Sequence, residues 1–330
     1  MFGSFKLTFC LAAAFVGTMV ASAPSSAAVA PPSSPRTWVS GTGNDGNDCG
    51  RTTPCLTFVG AYAKTVAGGE IDCLDPGGFG SLAIDHAITI DCGGGIQGQV
   101  GSVLVGMGNG IYVNAGVSDR VVLRNMSIIG GSNCNASYGI SFGSGASLIL
   151  QHVSISGFGG AGLLYAPSTT TTQLGVYDSD VNNNCGDGIR VAPLAGGSAN
   201  ATLANVRADT NTTDGLLVDT TSLASGSGAT VTVANSVFVH SANAIQDHST
   251  FNSSVPTNII LMDSMALNST YGILANGAGT TVRMDNVRVT GNTNGIAMAN
   301  GGKIFSFGNS NINGNTTSDG APLPPTLVKQ

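Results

Sequence analysis

Asp187-Gly188-Ile189-Arg190-Val191 and Asp214-Gly215-Leu216-Leu217-Val218 lie 27 residues apart and carry the same pattern. A turn dipeptide opens each stretch, and apolar residues then fall two apart. That is the alternation of a strand with one buried face. The glycine–apolar pair recurs at Gly110-Ile111, Gly139-Ile140, Gly162-Leu163, Gly188-Ile189, Gly215-Leu216, Gly272-Ile273 and Gly295-Ile296, with Ala244-Ile245 in the one gap. Successive spacings are 29, 23, 26, 27, 29, 28 and 23 residues.

A second column keeps step with the first. Asn125, His152, Asp178, Asn205, Asn235, Asp263, Asn286 and Asn309 sit between apolar neighbours, at spacings of 27, 26, 27, 30, 28, 23 and 23. Units this short cannot bury an apolar face alone, so they must stack. Helical repeats would need a 3.6-residue period, and propeller blades need about 40 residues. The pattern therefore predicts an all-β chain: a single right-handed parallel β-helix of about ten coils, with three short strands per coil. Asn tolerates left-handed backbone, and stacked side-chain amides can bond from coil to coil. The polar column is accordingly expected to be a structural ladder.

Composition narrows the partners. Among 330 residues, 48 are glycine, 27 are asparagine and 42% are apolar, so a core can form. Charged residues are 9%, with 18 acids against 12 bases, and Glu70 is the only glutamate. A net charge of -6 without a basic cluster excludes a nucleic-acid partner. Lys6, the apolar run Leu7 to Val20 and the small residues after it have the layout of a secretory signal. The run is too short for a membrane anchor, and none of spanning length follows. The expected organisation is a signal peptide at 1–27, a Pro/Ser linker at 28–36, an N-terminal cap at 37–68, the β-helix at 69–318 and a loose tail at 319–330. The protein is thus expected to be exported, to the periplasm or outside the cell, with no membrane span in the mature chain.

Six cysteines remain after loss of Cys10, which suits an oxidising compartment. Cys49 and Cys55 are close enough for a loop staple. Cys73 and Cys92 each close an Ile-Asp-Cys tripeptide, so stacking in register puts their Cα atoms about 4.8 Å apart. Cys134 and Cys185, 51 residues apart, are expected to stay free. No Cys-x-x-Cys or paired histidine supports a metal site. Asp45 and Asp48 are the candidate calcium ligands, but the run lacks the ligand count of a calcium loop, so no cofactor is expected.

The repeat from Gly69 to Gly314 resembles the secreted parallel β-helix proteins of the pectin-lyase-like superfamily. The segment Trp38-Val39-Ser40-Gly41-Thr42-Gly43, Pro54, Thr57-Phe58 and Gly68-Gly69-Glu70-Ile71 resembles the N-terminal cap of bacterial members. The resemblance implies a cap strand and a short helix, here Thr57 to Val66 with Phe58, Ala61 and Tyr62 facing the core, and it places Trp38 in that cap. It also implies one of several activities, since the superfamily holds lyases, hydrolases, isomerases and proteins without a known reaction. Its hydrolases use Asn-Thr-Asp, Asp-Asp and Gly-His-Gly motifs. This chain has no Asp-Asp and no Gly-His-Gly, and Asn211-Thr212-Thr213-Asp214-Gly215 is its nearest approach. The dipeptides Asp85-His86 and Asp247-His248 match part of a calcium-dependent lyase motif.

Read from the residues, one cluster carries chemistry. Asp187 and Asp214 precede the opening glycine on consecutive coils, so stacking sets them about 5 Å apart and raises one pKa. Paired carboxyls are the machinery of glycoside cleavage. Arg190 points outward on the same face, and Asp219 and His248 are stacked neighbours that could exchange a proton. The competing reading is plain: Asp-Gly is a good turn dipeptide, and Asn109, Asn243 and Asn294 share the column. Leu164, Leu217 and Leu274 also point outward and could meet another chain. Two functions follow. The favoured one is a non-catalytic surface scaffold binding a polysaccharide or a cell-surface protein. The alternative is a polysaccharide lyase or glycoside hydrolase acting through Asp187, Asp214, Arg190, Asp219 and His248.

Overall fold

The computed structural model describes residues 34–93, 101–169, 172–223, 228–250 and 255–324. The expected signal peptide lies outside them. The described chain is a parallel β-helix of about ten coils, all parallel in its strand pairings, with one short helix. The glycine–apolar landmarks form one row. Ile111 pairs with Ile140, Ile140 with Leu163, Leu163 with Ile189, Ile189 with Leu216, Leu216 with Ile245, Ile245 with Ile273, and Ile273 with Ile296. All eight are at most 4% exposed and line the core.

The glycine of each pair has a steric cause. A Cβ on Gly188 would lie 2.6 Å from the Gly215 carbonyl oxygen and 2.7 Å from Asn211 Nδ2. The strand entrance passes too close to the next coil for a side chain.

This row belongs to a nine-stranded sheet that includes Ala161–Tyr165, Asp187–Val191, Asp214–Asp219 and Asn243–His248. The rest of each coil forms a larger sheet of 17 strands. The polar column bends that sheet: Asn125, His152, Asp178, Asn205, Asn235, Asp263 and Asn286 have φ of 49–56°. Left-handed backbone is what Asn and Asp bear with least strain. Asn309 departs from the row, and Gly308 takes the positive φ there at 83°. The column's bonds run in pairs: Asn205 Nδ2 donates to Asp178 Oδ1 at 2.9 Å, and Asn286 Nδ2 to Asp263 Oδ1 at 2.7 Å.

A deeper ladder stands three or four residues before the glycine landmarks. Asn211 Oδ1 accepts from the Asn184 backbone N–H at 3.2 Å and from its Nδ2 at 2.9 Å. Asn315 Oδ1 does the same for Asn292, at 3.0 Å each. Asn184, Asn211 and Asn292 are at most 1% exposed, so these bonds satisfy backbone groups that water cannot reach.

The cap departs from expectation in length. Its helix is Phe58–Tyr62, opened by the Thr57 hydroxyl accepting from Gly60 N–H at 3.0 Å. It stops before Val66 because Thr65 already enters the strand Thr65–Cys73, where its buried hydroxyl meets that of Thr37 at 2.7 Å. The first strand, Ser34–Val39, takes in the last residues of the expected linker and pairs Trp38 with Asp72. Tyr62 stacks on His86 with ring centroids 4.3 Å apart, and its hydroxyl donates to Asp85 Oδ1 at 2.8 Å. These contacts seat the helix on the first coil. At the other end, Leu323 N–H bonds to Ile304 O at 2.8 Å, so the tail is tied down at that point.

Three disulfides form. Cys73–Cys92 and Cys49–Cys55 are as expected, with Cα separations of 4.5 and 4.7 Å. The third, Cys134–Cys185, corrects the expectation of free thiols. These residues flank an intervening turn rich in glycine. A Cβ on Gly159 would lie 2.3 Å from the Cys134 carbonyl oxygen, so the bare turn lets its neighbours close to a Cα separation of 6.2 Å. Asp45 and Asp48, the candidate calcium ligands, brace the cap loop. Asp45 Oδ1 accepts from Leu56 and Thr57 N–H at 2.8 and 2.9 Å, and Asp48 takes the Thr53 hydroxyl.

Candidate active site

Asp187 and Asp214 open consecutive strands of the nine-stranded sheet. Gly186 precedes Asp187 and Thr213 precedes Asp214, so each carboxyl stands at the entrance of its strand, at the rim of the coil. Each residue is only 5% exposed. The Thr213 hydroxyl donates to Asp187, and Asn243 Nδ2 donates to Asp214 Oδ1 at 2.6 Å. Asn243 also reaches Gln246 Oε1 at 2.9 Å.

Arg190 spans the cluster. Its Nη2 donates to Asp219 Oδ2 at 2.6 Å, and its Nη1 lies 3.9 Å from Asp187 Oδ2. Its side chain is 39% exposed, which leaves part of the guanidinium facing solvent. Asp219 Oδ1 accepts from Thr221 N–H at 3.0 Å and from the Thr221 hydroxyl at 2.6 Å.

These surroundings separate the three carboxyls. Burial pushes Asp214 up to about 7; the Asn243 bond opposes this, and the Asp187 charge adds to it. Burial also raises Asp187, partly offset by Thr213 and Arg190. Asp219 goes the other way. Burial works against its charge, but the Thr221 bonds and the Arg190 guanidinium outweigh it and hold the carboxyl below the usual range. A carboxyl with a raised pKa and one with a lowered pKa beside a single guanidinium make an acid–base arrangement.

The sequence places Asp187, Arg190, Asp214 and Asp219 together, and they meet. His248 does not complete the group: it is in register with Asp219, yet no hydrogen bond joins the two. Asp247, its neighbour in the Asp-His dipeptide, points into the core and is fully buried. His152 stays in the ladder, with Nε2 4.0 Å from Asp178 Oδ2. The outward leucines differ in exposure. Leu217 stacks between Arg190 and Gln246 and is 7% exposed, and Leu164 and Leu274 are half-buried. Sequence reasoning missed Thr213, Thr221 and Asn243 as partners. Asn243 was visible only as a column member, because a column fixes position along the axis and not which neighbour a side chain bonds.

No family model matches the chain, and no curated protein matches it. Solved structures do. The pectate lyase Pel9A is 12% identical with a TM-score of 0.55, over 87% of this chain and 81% of that one. The A-module of the mannuronan C-5 epimerase AlgE6 from Azotobacter vinelandii is 12% identical with a TM-score of 0.44, over 76% and 83%. A rhamnogalacturonan lyase is 12% identical with a TM-score of 0.40, over 89% of each chain. The likeness to Pel9A shows that the two chains share the parallel β-helix fold. Its three disulfides fit an oxidising compartment and so an exported protein. Among the described residues no helix is long and apolar enough to cross a membrane.

Proposed function

We propose that this protein cleaves polysaccharide at the Asp187, Arg190, Asp214 and Asp219 cluster. The observation that carries the reading is the divergence of Asp214 and Asp219 about one part-exposed arginine. Near neutral pH, Asp214 keeps a proton to give to a departing glycosidic oxygen, while Asp219 stays ionised and holds Arg190 in place. Asp187 neighbours Asp214 on the adjoining coil and keeps its pKa from falling. Arg190 is held by Asp219 at 2.6 Å, and the part of its guanidinium that faces solvent can donate to substrate oxygens. The fold shared with Pel9A supports a glycan as partner.

A second reading is a scaffold that binds glycan without turning it over. The 5% exposure of Asp187 and Asp214 favours it, because a proton donor must reach its substrate. A panel of acidic and neutral polysaccharides, followed for unsaturated products and new reducing ends, separates the two. Unsaturated ends identify a lyase, and reducing ends without unsaturation identify a hydrolase. Turnover that survives Asp214→Asn overturns the site. Binding with no turnover of any chain leaves the scaffold.

A further inference from the structure

The first coils hold a second constellation, on the large sheet and away from the acid–base cluster. A pocket of about 450 Å³ is lined by Arg36, Trp38, Arg51, Glu70, Asp72 and Asp91, among others. That volume lies within the range of small-ligand sites. Register builds it: Trp38 pairs with Asp72 and Asp72 with Asp91, so indole and carboxylates stand in one outward row. Glu70 is two positions back on the strand of Asp72, beside Arg36.

The lining is preorganised. Asp72 and Asp91 each precede a cysteine of the Cys73–Cys92 bridge, and Arg51 lies in the loop closed by Cys49–Cys55. Two of the three disulfides thus fix segments that carry the pocket's charges. Arg36 Nε bonds Asp72 Oδ2 at 2.5 Å, its Nη2 reaches Glu70 Oε1 at 3.2 Å, and its guanidinium lies 5.6 Å from the Trp38 ring centroid. Asp91 Oδ1 accepts from Gly93 N–H and Asn125 Nδ2, at 2.8 Å each. Arg51 is exposed and forms no salt bridge with a described residue.

The chemistry selects a ligand class. Three carboxylates repel phosphate and uronate, and two guanidiniums repel a bare cation. The walls are polar, which excludes a lipid. A sugar fits all of these: its hydroxyls donate to carboxylates and accept from guanidinium, and its C–H face packs on an indole. We propose that this pocket binds a neutral or amino-substituted saccharide, apart from any cleavage at Asp214.

Trp38 is the chain's single tryptophan, so its fluorescence reports the pocket without a label. The titration uses the full-length protein in the Asp214→Asn background, and chromatography of each sample afterwards shows that the ligand is intact, so the result stands whether or not the catalytic reading does. Neutral and amino-bearing oligosaccharides should shift the emission saturably, and oligogalacturonate should bind more weakly. Arg51→Ala and Asp91→Asn should each weaken binding about tenfold, with circular dichroism showing the fold retained. Arg51 is exposed, so its variant stays informative if Asp91→Asn disturbs the coil. No response to any sugar, tighter binding of the uronate, or wild-type affinity in Arg51→Ala overturns the proposal.

Discussion

Asp214 and Asp247 lie on neighbouring strands, and burial pushes both carboxyls up to about 7. Their surroundings otherwise differ. Asp214 sits at the coil's rim, bonded to Asn243 and grouped with Asp187, Arg190 and Asp219. Asp247 points inward in a row with Val218 and Ala275, each fully buried. Its Oδ2 accepts from Thr281 N–H at 3.2 Å, and its Oδ1 has no hydrogen-bond partner. A raised pKa alone therefore does not mark a site. Burial produces it anywhere; a charged neighbour at the surface gives it a use.

The largest expected effect tests that distinction directly. Loss of a general acid costs about 10² to 10⁴ in rate. Asp214→Asn should lose that much of kcat on whichever polysaccharide proves to be the substrate, and Asp247→Asn should lose little. Equal losses in the two variants would mean that both act through the fold.

Stability against pH should respond to both carboxyls, because burial pushes each up to about 7. A carboxyl whose folded pKa stands above its unfolded value stabilises the fold below the unfolded value, and that contribution is lost as pH rises through the folded one. For Asp247 the window runs from 3.8 up to about 7. The ceiling is about 4 kcal/mol at 1.36 kcal/mol per pKa unit. Wild-type protein should therefore lose stability across this range; Asp247→Asn should flatten part of the fall, and Asp214→Asn should flatten it likewise. Denaturant melts at pH 4, 6 and 8 would measure it, and an unchanged slope would contradict the buried placement of Asp247.

The third disulfide bears on the rim site alone. Cys185 lies two residues before Asp187, in the turn that feeds its strand. Replacing Cys134 and Cys185 with serine should cost about 2–4 kcal/mol of stability and lower kcat several-fold as that turn loosens. Removing Cys73–Cys92 should cost similar stability and leave kcat alone. The same activity loss from either pair would show that the turn has no local hold on Asp187.

How much of this was legible beforehand follows from what a repeat encodes. Stacking turns spacing into position, so Ile111 through Ile296 could be aligned from the sequence, and Cys73 and Cys92 could be paired. Asp187, Arg190, Asp214 and Asp219 converge for the same reason. Reach across the stack was not legible. Cys134 meets Cys185 because Gly159 leaves the turn between them bare, and no column states that. Side-chain direction was only partly legible. Alternation from Ile245 sends Asp247 inward, but the Asp-His dipeptide was read only as part of a lyase motif. Trp38 was expected in the cap; its pairing with Asp72 sets it in a pocket wall, which depends on the register of the first strand.

The smallest effect concerns Arg190. Its charge lowers the pKa of both Asp187 and Asp214, against burial as the larger cause. Arg190→Gln should therefore move Asp214 further up, by less than about one pKa unit given partial solvent screening. If Asp214 donates its proton in the rate-limiting step, the alkaline limb of kcat must move to higher pH by the same amount. Asp219 answers in the same sense: its carboxyl, held down by Thr221 and Arg190, should also rise, which moves the acidic limb up. The whole profile should then shift toward alkali with its shape kept. A profile that only falls in height would mean that Arg190 binds substrate without setting either carboxyl. The corresponding charge removal near Asp247 is not available, since no Lys or Arg appears among the causes of its shift. The displaced profile is thus a signature that the rim site can give and the buried carboxyl cannot.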